Sequence, residues 1–281
     1  MKKILVIGLV GNSYFYGCNH LPTKGETISA NSLHTEIGGK GFNQAYTIYM
    51  LGGDVTFLTA LGDDETGLLV QKEMNQLGIK TKVVTKKGST AVASILTDTN
   101  GDNEVIVYPG VTLSIQDIIN QHHLIEEADF ILLQLELPID VTNYLIEEGS
   151  HLGKTIVLNP APAVNNTLPL DKVHYLTPNL GEAKTLFGEN YVEALLKSKV
   201  NAAVTLGEEG VLCFEDGQIT KLEGIPQNVA DTTGAGDVFN GVLAYYLASG
   251  ESLINASKKA NKLASQSVTK RYVIESIKSL V

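Results

Sequence analysis

The hydrophobic pattern of this chain predicts an α/β fold: a doubly wound, mostly parallel sheet with helices on both faces, plus a small β-sheet lid. Three observations carry that expectation. Short β-branched runs alternate with stretches of helical period along most of the sequence. Some of those runs are apolar throughout, such as Phe130-Ile131-Leu132-Leu133, as strands covered on both faces must be. Two stretches, 12–36 and 89–108, break the alternation and are surplus to such a sheet.

The first strand is expected at 3–8. Two lysines and then Ile4, Leu5, Val6 and Ile7 give it a superficial likeness to a secretory leader. The apolar run is too short for one, and Gly8, Gly11 and Asn12 interrupt it, so a buried strand in a cytoplasmic protein is expected. Residues 12–36 mix polar and aromatic side chains, with Pro22 and Gly25 at a turn. A helix at 40–51 and a strand at 54–60 follow. In the helix expected at 65–77, Leu68, Leu69, Met74 and Leu77 form an apolar stripe, which reads as a core face. After a strand at 80–85, residues 89–108 read as a hairpin, with Ala91–Thr97 and Asn103–Tyr108 around the turn Thr99-Asn100-Gly101-Asp102. Further strands are expected at 129–135, 154–158, 173–176, 201–206, 210–215 and 218–222. Further helices are expected at 114–121, 139–149, 180–187, 191–197, 236–249 and 252–270. The α/β core is therefore assigned to 1–11, 37–88 and 109–281. Residues 12–36 and 89–108 are expected to meet as a small β-sheet flap; pattern alone equally allows two ordinary surface hairpins.

Composition narrows the function classes. The chain has 281 residues, 43% of them apolar, enough for a large core, which excludes global disorder. Its 21 Lys+Arg against 31 Asp+Glu give a net charge of −10 with no basic run, which argues against a nucleic-acid partner. No window approaches the roughly 20 apolar residues of a membrane span. Cys18 and Cys213 form neither a disulfide framework nor a metal-site spacing, consistent with a reducing compartment.

Two glycine motifs carry chemistry. In Glu36-Ile37-Gly38-Gly39-Lys40-Gly41-Phe42-Asn43-Gln44-Ala45, the glycines allow close approach of backbone to a ligand at a helix start. Lys40 and Asn43 are its polar contacts for a polyol or phosphate. The motif is neither a Walker A loop nor a dinucleotide fingerprint, and alone it reads as a structural turn. In Asp231-Thr232-Thr233-Gly234-Ala235-Gly236-Asp237-Val238-Phe239-Asn240-Gly241, three bare N–H groups open an apolar helix and can hold a phosphate. Asp237 falls in the first turn, where the helix dipole favours negative charge. It can accept a proton from an attacking hydroxyl, or simply cap the helix.

Together, residues 38–45 and 231–239 resemble the two signatures of the ribokinase-like (PfkB) carbohydrate kinase family, in the family's order. Similar matches cover nearly the whole chain. They include Leu21-Pro22-Thr23-Lys24-Gly25-Glu26-Thr27, Leu61-Gly62-Asp63-Asp64-Glu65-Thr66-Gly67, Gln134-Leu135-Glu136 and Asn159-Pro160-Ala161-Pro162-Ala163. Thr177-Pro178-Asn179-Leu180-Gly181-Glu182 and Val204-Thr205-Leu206-Gly207-Glu208-Glu209-Gly210 extend them.

The resemblance implies phosphorylation of a sugar or sugar-like hydroxyl by ATP with Mg²⁺. It implies Asp237 as the base and the backbone of Gly234, Ala235 and Gly236 as an anion hole. Asn179 and Glu182 match an Asn-x-x-Glu that holds Mg²⁺ through water; from the residues alone they read equally as a helix capping box. Asn179, Thr205, Gly207 and Asn261 are implied at the nucleotide, with Asn261 otherwise a solvated helix residue. Gly39, Lys40, Asn43 and Glu136 match sugar-contacting positions. Residues 12–36 and 89–108 become a lid that excludes water and through which two copies clasp as a homodimer.

The pattern is broken in two places. Where the family carries Asn-x-Asp after the first strand, with the Asp on two sugar hydroxyls, Gly11 and Ser13 stand here. A shift of one residue restores Asn12 but not the Asp, and a neutral Ser13 holds a polyol less strongly than a carboxylate. At the C-terminus, Tyr272 replaces the glycine of a monovalent-cation loop whose first half, Asp231 and Thr233, is retained, so K⁺ activation stays an open expectation. A non-catalytic sugar or nucleotide sensor on the same scaffold and a nucleoside kinase are the alternatives.

Overall fold

Residues 2–164, 167–198 and 200–281 are described by the structure, a computed structural model. Alternation within single strands decides the architecture. In β1 (Ile4–Ile7), Ile4 and Val6 enter one apolar cluster, and Leu5 and Ile7 enter another on the opposite face. The same division holds for Phe130 and Leu132 against Ile131 and Leu133. A strand apolar on both sides must be covered on both sides, so helices pack on each face.

The chain runs β1, β2 (Gly11–Gly17), β3 (Ser32–Gly38), α1 (Lys40–Met50), β4 (Val55–Gly62), α2 (Glu65–Leu77), β5 (Thr81–Lys86), β6 (Ala91–Thr97) and β7 (Asn103–Tyr108). It continues through α3 (Ile115–Asn120), α4 (His122–Glu127), β8 (Phe130–Leu133), α5 (Ile139–His151), β9 (Thr155–Leu158) and β10 (Tyr175–Leu176). Then come α6 (Leu180–Phe187), α7 (Tyr191–Ser198), β11 (Asn201–Thr205), β12 (Gly210–Glu215), β13 (Gln218–Glu223), α8 (Ala235–Ala248), α9 (Leu253–Ser267) and α10 (Val273–Lys278).

Nine strands form the main sheet in the order β13-β12-β11-β10-β9-β8-β1-β4-β5. The pairs from β11 to β5 are parallel, and β12 pairs antiparallel with both its neighbours. Helices α1, α2, α8, α9 and α10 cover one face; α3 to α7 cover the other. The second sheet has the order β3-β2-β6-β7, with β2 and β6 parallel and the outer pairs antiparallel. The two surplus segments therefore meet in one sheet and are not separate hairpins. That sheet also takes in Gly11, Ile37 and Gly38, which the sequence division left with the core. No helix among the described residues is long and apolar enough to cross a membrane.

Four points differ from expectation. The helix at 114–121 stands as α3, and an additional helix, α4, follows it, because Gln121 leaves helical geometry and Ile118 and Ile125 both anchor in the core. The strand at 129–135 stops at Leu133, and Gln134 to Glu136 turn out of the sheet. The strand at 173–176 keeps only Tyr175 and Leu176. The last helix ends at Ser267, and α10 forms beyond it, its first turn closed on Glu36 of β3: Val273 and Ile274 donate their backbone N–H groups to that carboxylate at 2.8 and 3.3 Å.

Candidate active site

Four neighbouring strands of the main sheet each end on a polar residue. Gln134 follows β8, Asn159 follows β9, Thr177 follows β10, and Thr205 closes β11. Their runs bury themselves, and the first polar residue after each run emerges at the carboxyl edge, where open α/β sheets take ligands. This is a signal visible in the sequence: Leu132-Leu133-Gln134, Val157-Leu158-Asn159, Tyr175-Leu176-Thr177 and Ala203-Val204-Thr205 repeat it. Of the four, only Thr205 carries an expected role.

Asp237 faces this edge from the first turn of α8 and is 7% exposed. Asn43 donates from Nδ2 to its Oδ2 at 2.9 Å, and Gln44 donates from Nε2 to its Oδ1 at 3.2 Å. Both donors sit on α1, so α1 and α8 must lie close. Gly241 permits this: a Cβ there would lie 2.6 Å from Thr47 Cβ and 2.8 Å from the Gln44 carbonyl oxygen.

The turn before α8 departs from three free N–H groups. Ala235 donates its N–H to the Thr232 carbonyl at 3.2 Å, which leaves the N–H groups of Gly234 and Gly236 without a partner among the described residues. Gly234 has φ +77°, and a Cβ there would press on Val273 of α10 at 2.7 Å, so glycine is required on both grounds.

Lys40 opens α1. The Asp237 carboxylate holds its ammonium above the ordinary value, against burial that would lower it, with Glu136 and Glu182 adding to the rise. Glu136 accepts the backbone N–H of Lys40 at 2.9 Å and of Gly41 at 3.4 Å. Burial first, and the charge of Asp237 second, push the Glu136 carboxyl up to about 7. Gly39 is the N-cap of α1, and Ser13 lies on β2 with its Oγ against Gly38. These two, Lys40, Asn43 and Glu136 gather where β2 and β3 meet the start of α1.

Asn179 and Glu182 form the capping box of α6. Glu182 donates its N–H to Asn179 Oδ1, and Asn179 donates its N–H to Glu182 Oε2, both at 2.8 Å. The bland reading of this pair is thus realised, while Glu182 Oε1 keeps no partner among the described residues. Burial raises the Glu182 carboxyl and Asp237 adds to it, opposed by the Asn179 N–H and Lys40. Both residues share a cavity of 120 Å³ with Lys40, Asp237 and Gly236. A larger pocket of 570 Å³ adjoins it, lined by Thr205, Gly207, Ala235, Gly236 and Asn261 among others. Thr205 and Gly236 border both spaces. Asn261 turns its Nδ2 to the Glu223 carbonyl at 2.9 Å and presents the rest of its amide on the pocket wall. Asp231 stands apart from these: its Oδ1 accepts the Thr233 N–H at 2.8 Å and its Oδ2 the Tyr272 N–H at 3.4 Å.

Comparison with known proteins places the chain in a family. The sequence model of the family described as pfkB family carbohydrate kinase matches residues 1–280. A ribokinase from Bacillus subtilis is 33% identical over 275 residues, covering 95% of this chain and 93% of the relative. A deoxyribokinase from Salmonella typhi is 33% identical over 270 residues, covering 89% of this chain and 87% of the relative. The solved structure of Arabidopsis thaliana ribokinase complexed with ribose and ATP matches at 26% identity with a TM-score of 0.85, over 99% of this chain and 97% of that one.

Proposed function

The chain belongs to the pfkB family of carbohydrate kinases, and we propose that Asp237 is the base that takes the acceptor proton in its reaction. That reaction is transfer of the γ-phosphoryl group of ATP to a sugar hydroxyl. One observation carries the assignment of Asp237. It is a buried carboxylate held by two amide donors, on a cavity that shares Thr205 and Gly236 with the large pocket.

In this reading the nucleoside of ATP occupies the 570 Å³ pocket against Thr205, Gly207 and Asn261. Its phosphates cross Gly234 and Gly236 toward Lys40. The acceptor lies against Gly39, Lys40, Asn43, Glu136 and Ser13, with one hydroxyl facing Asp237. The transition state of phosphoryl transfer is loose, and charge spreads over the peripheral oxygens. The free N–H groups and the Lys40 ammonium meet that charge, and the proton leaves late to the Asp237 carboxylate. Equal identity to a ribokinase and a deoxyribokinase supports a pentose or deoxypentose acceptor.

The donor set suits Mg²⁺. Glu182 and Asp237 place two carboxylates on one small cavity, and Glu182 Oε1 has no partner among the described residues. Glu182, with Asn179 holding it, would keep the ion through water, where it neutralises phosphate charge. The K⁺ loop fits less well, because Tyr272 stands where the family carries glycine; Asp231 itself accepts the Thr233 and Tyr272 N–H groups and keeps a lone pair on each oxygen. The small sheet acts as the lid and as the dimer interface.

ADP release across pentoses, deoxypentoses, hexoses and nucleosides tests the reading. Turnover is expected with a pentose or deoxypentose. Binding of ATP with no turnover on any acceptor would overturn it.

A further inference from the structure

Behind Asp237 runs a chain of buried amides that the reaction itself does not use. Gln44 is wholly buried on α1, one residue after Asn43. Both hydrogens of its side-chain amide are committed, to Asp237 Oδ1 at 3.2 Å and to Asn159 Oδ1 at 3.1 Å. Its Oε1 accepts from Gln134 Nε2 at 2.6 Å. Asn159 donates from Nδ2 to the Thr177 backbone carbonyl at 3.0 Å.

The orientation of every member follows from that last bond. A backbone carbonyl only accepts, so Asn159 must turn its amino group to Thr177 and its oxygen to Gln44. Gln44 must then present its amino group to Asn159 and to Asp237, and its oxygen to Gln134. Gln134 must answer with its own amino group. Reversing Gln44 alone would set its oxygen against a carboxylate and another amide oxygen, and would pair two amino groups at Gln134. Gln134 is held on its other side by packing alone, its Oε1 having no hydrogen-bond partner among the described residues. Its Oε1 is buried against Gly8, where a Cβ would collide with it. On the far side, Thr177 donates from Oγ1 to Asn240 Oδ1, and Asn240 donates from Nδ2 to the Gly236 carbonyl at 2.8 Å. The chain thus starts at the strand ends and returns to the first turn of α8.

We propose that Gln44 is a positioning residue for Asp237, its amide locked from behind by Gln134 and Asn159 so that Oδ1 is fixed and the proton-accepting edge of the carboxylate faces the acceptor hydroxyl. The proposal rests on the reading of Asp237 as the base. A carboxylate with one donor per oxygen cannot rotate about its terminal torsion. Losing the donor on Oδ1 frees that rotation and misaligns the acceptor for the proton, which acts on the chemical step and leaves ground-state binding largely intact.

Steady-state kinetics of four variants test this: Gln44→Met, Gln134→Met, their double variant, and Asp237→Asn. Methionine keeps the length and the apolar contact of glutamine and removes its donors. Gln44→Met should lower kcat at least tenfold, with KM for ATP and for the sugar within about threefold. Gln134→Met does not touch Asp237, yet should lower kcat about three- to tenfold with the same split. The double variant should be no slower than Gln44→Met, because Gln134 acts through Gln44. A kcat for Gln44→Met within twofold of wild type, a loss that falls on KM, or multiplying effects in the double variant would each overturn the proposal. If Gln44→Met does not fold, as judged by loss of ATP binding, Gln134→Met decides by the same criteria. Full activity in Asp237→Asn would instead overturn the reading of the base; an inactive Asp237→Asn beside an unaffected Gln44→Met sinks only the positioning role.

Discussion

Glu136 is the residue whose charge the fold governs most visibly. Its carboxyl titrates near 7 because burial and the nearby Asp237 disfavour its anion. The unfolded chain releases that proton at an ordinary carboxylate value of about 4.5, so the folded state binds more protons between those limits. Its contribution to stability is thus full below pH about 4.5 and declines as pH rises to about 7. Glu136→Gln removes this term. Denaturant unfolding should show the variant gaining on wild type from pH 4.5 to 7 and holding a constant lead above; a pH-independent difference would contradict the burial argument. Residues such as Glu136 and Asp237 were legible because each sits in a motif of specified neighbours. Gln44 and Gln134 stood in quoted motifs but received no role. Their meaning lies in meeting across three strand ends and two helices, a juxtaposition that sequence spacing does not contain.

At the scale of elements, α10 is the clearest departure from expectation. Its six residues carry too little pattern to announce a helix, and it forms because Glu36 caps it and Val273 and Ile277 are buried. Tyr272, just before it, has φ +66°, a conformation that costs a bulky residue about 1–2 kcal/mol. The ring offsets this by stacking on His34 of β3 at 3.6 Å between centroids, with Phe15 of β2 edge-on at 5.6 Å. The aromatic 14–16 stretch is thereby explained in part: Phe15 belongs to this cluster, while Tyr14 and Tyr16 stack on each other at 6.5 Å. An ordering follows that reverses the usual one. Tyr272→Ala loses the ring and keeps the strain, whereas Tyr272→Gly loses only the ring. Gly should therefore be the more stable variant by about 1 kcal/mol in thermal or denaturant unfolding. Equal stability, or Ala ahead, would show that the backbone there relaxes. The hairpin Ala91–Thr97 and Asn103–Tyr108 was legible residue for residue, because its turn and alternation are local. Its partnership with β2, far away in sequence, was inferred only from both segments being surplus.

For the whole molecule, the net charge of −10 sets a constraint on binding polyphosphate. Attraction must be built locally, and the Lys40 ammonium, the free N–H groups of Gly234 and Gly236, and a divalent ion at Glu182 are the means proposed. The small sheet has its own whole-molecule consequence. Val105, Ile106, Val107 and Tyr108 on its edge strand and Leu33 on β3 are exposed, Ile106 at 71%. An apolar edge strand in water invites a partner, and a second lid is the partner proposed. Light scattering should report a dimer for the wild type and a monomer for Ile106→Asp; a monomeric wild type would contradict the clasp. The layered sheet was legible because apolar runs of alternating class dictate it. The order of its strands was not, since nothing local tells β1 that it lies between β8 and β4. The central claim remains the role of one carboxylate. The kcat of Asp237→Asn, measured beside its ATP affinity, tests it most directly. A loss of 10² to 10⁴ in kcat with ATP affinity unchanged within about threefold is the result expected of a lost base; a kcat near that of the wild type would contradict the account.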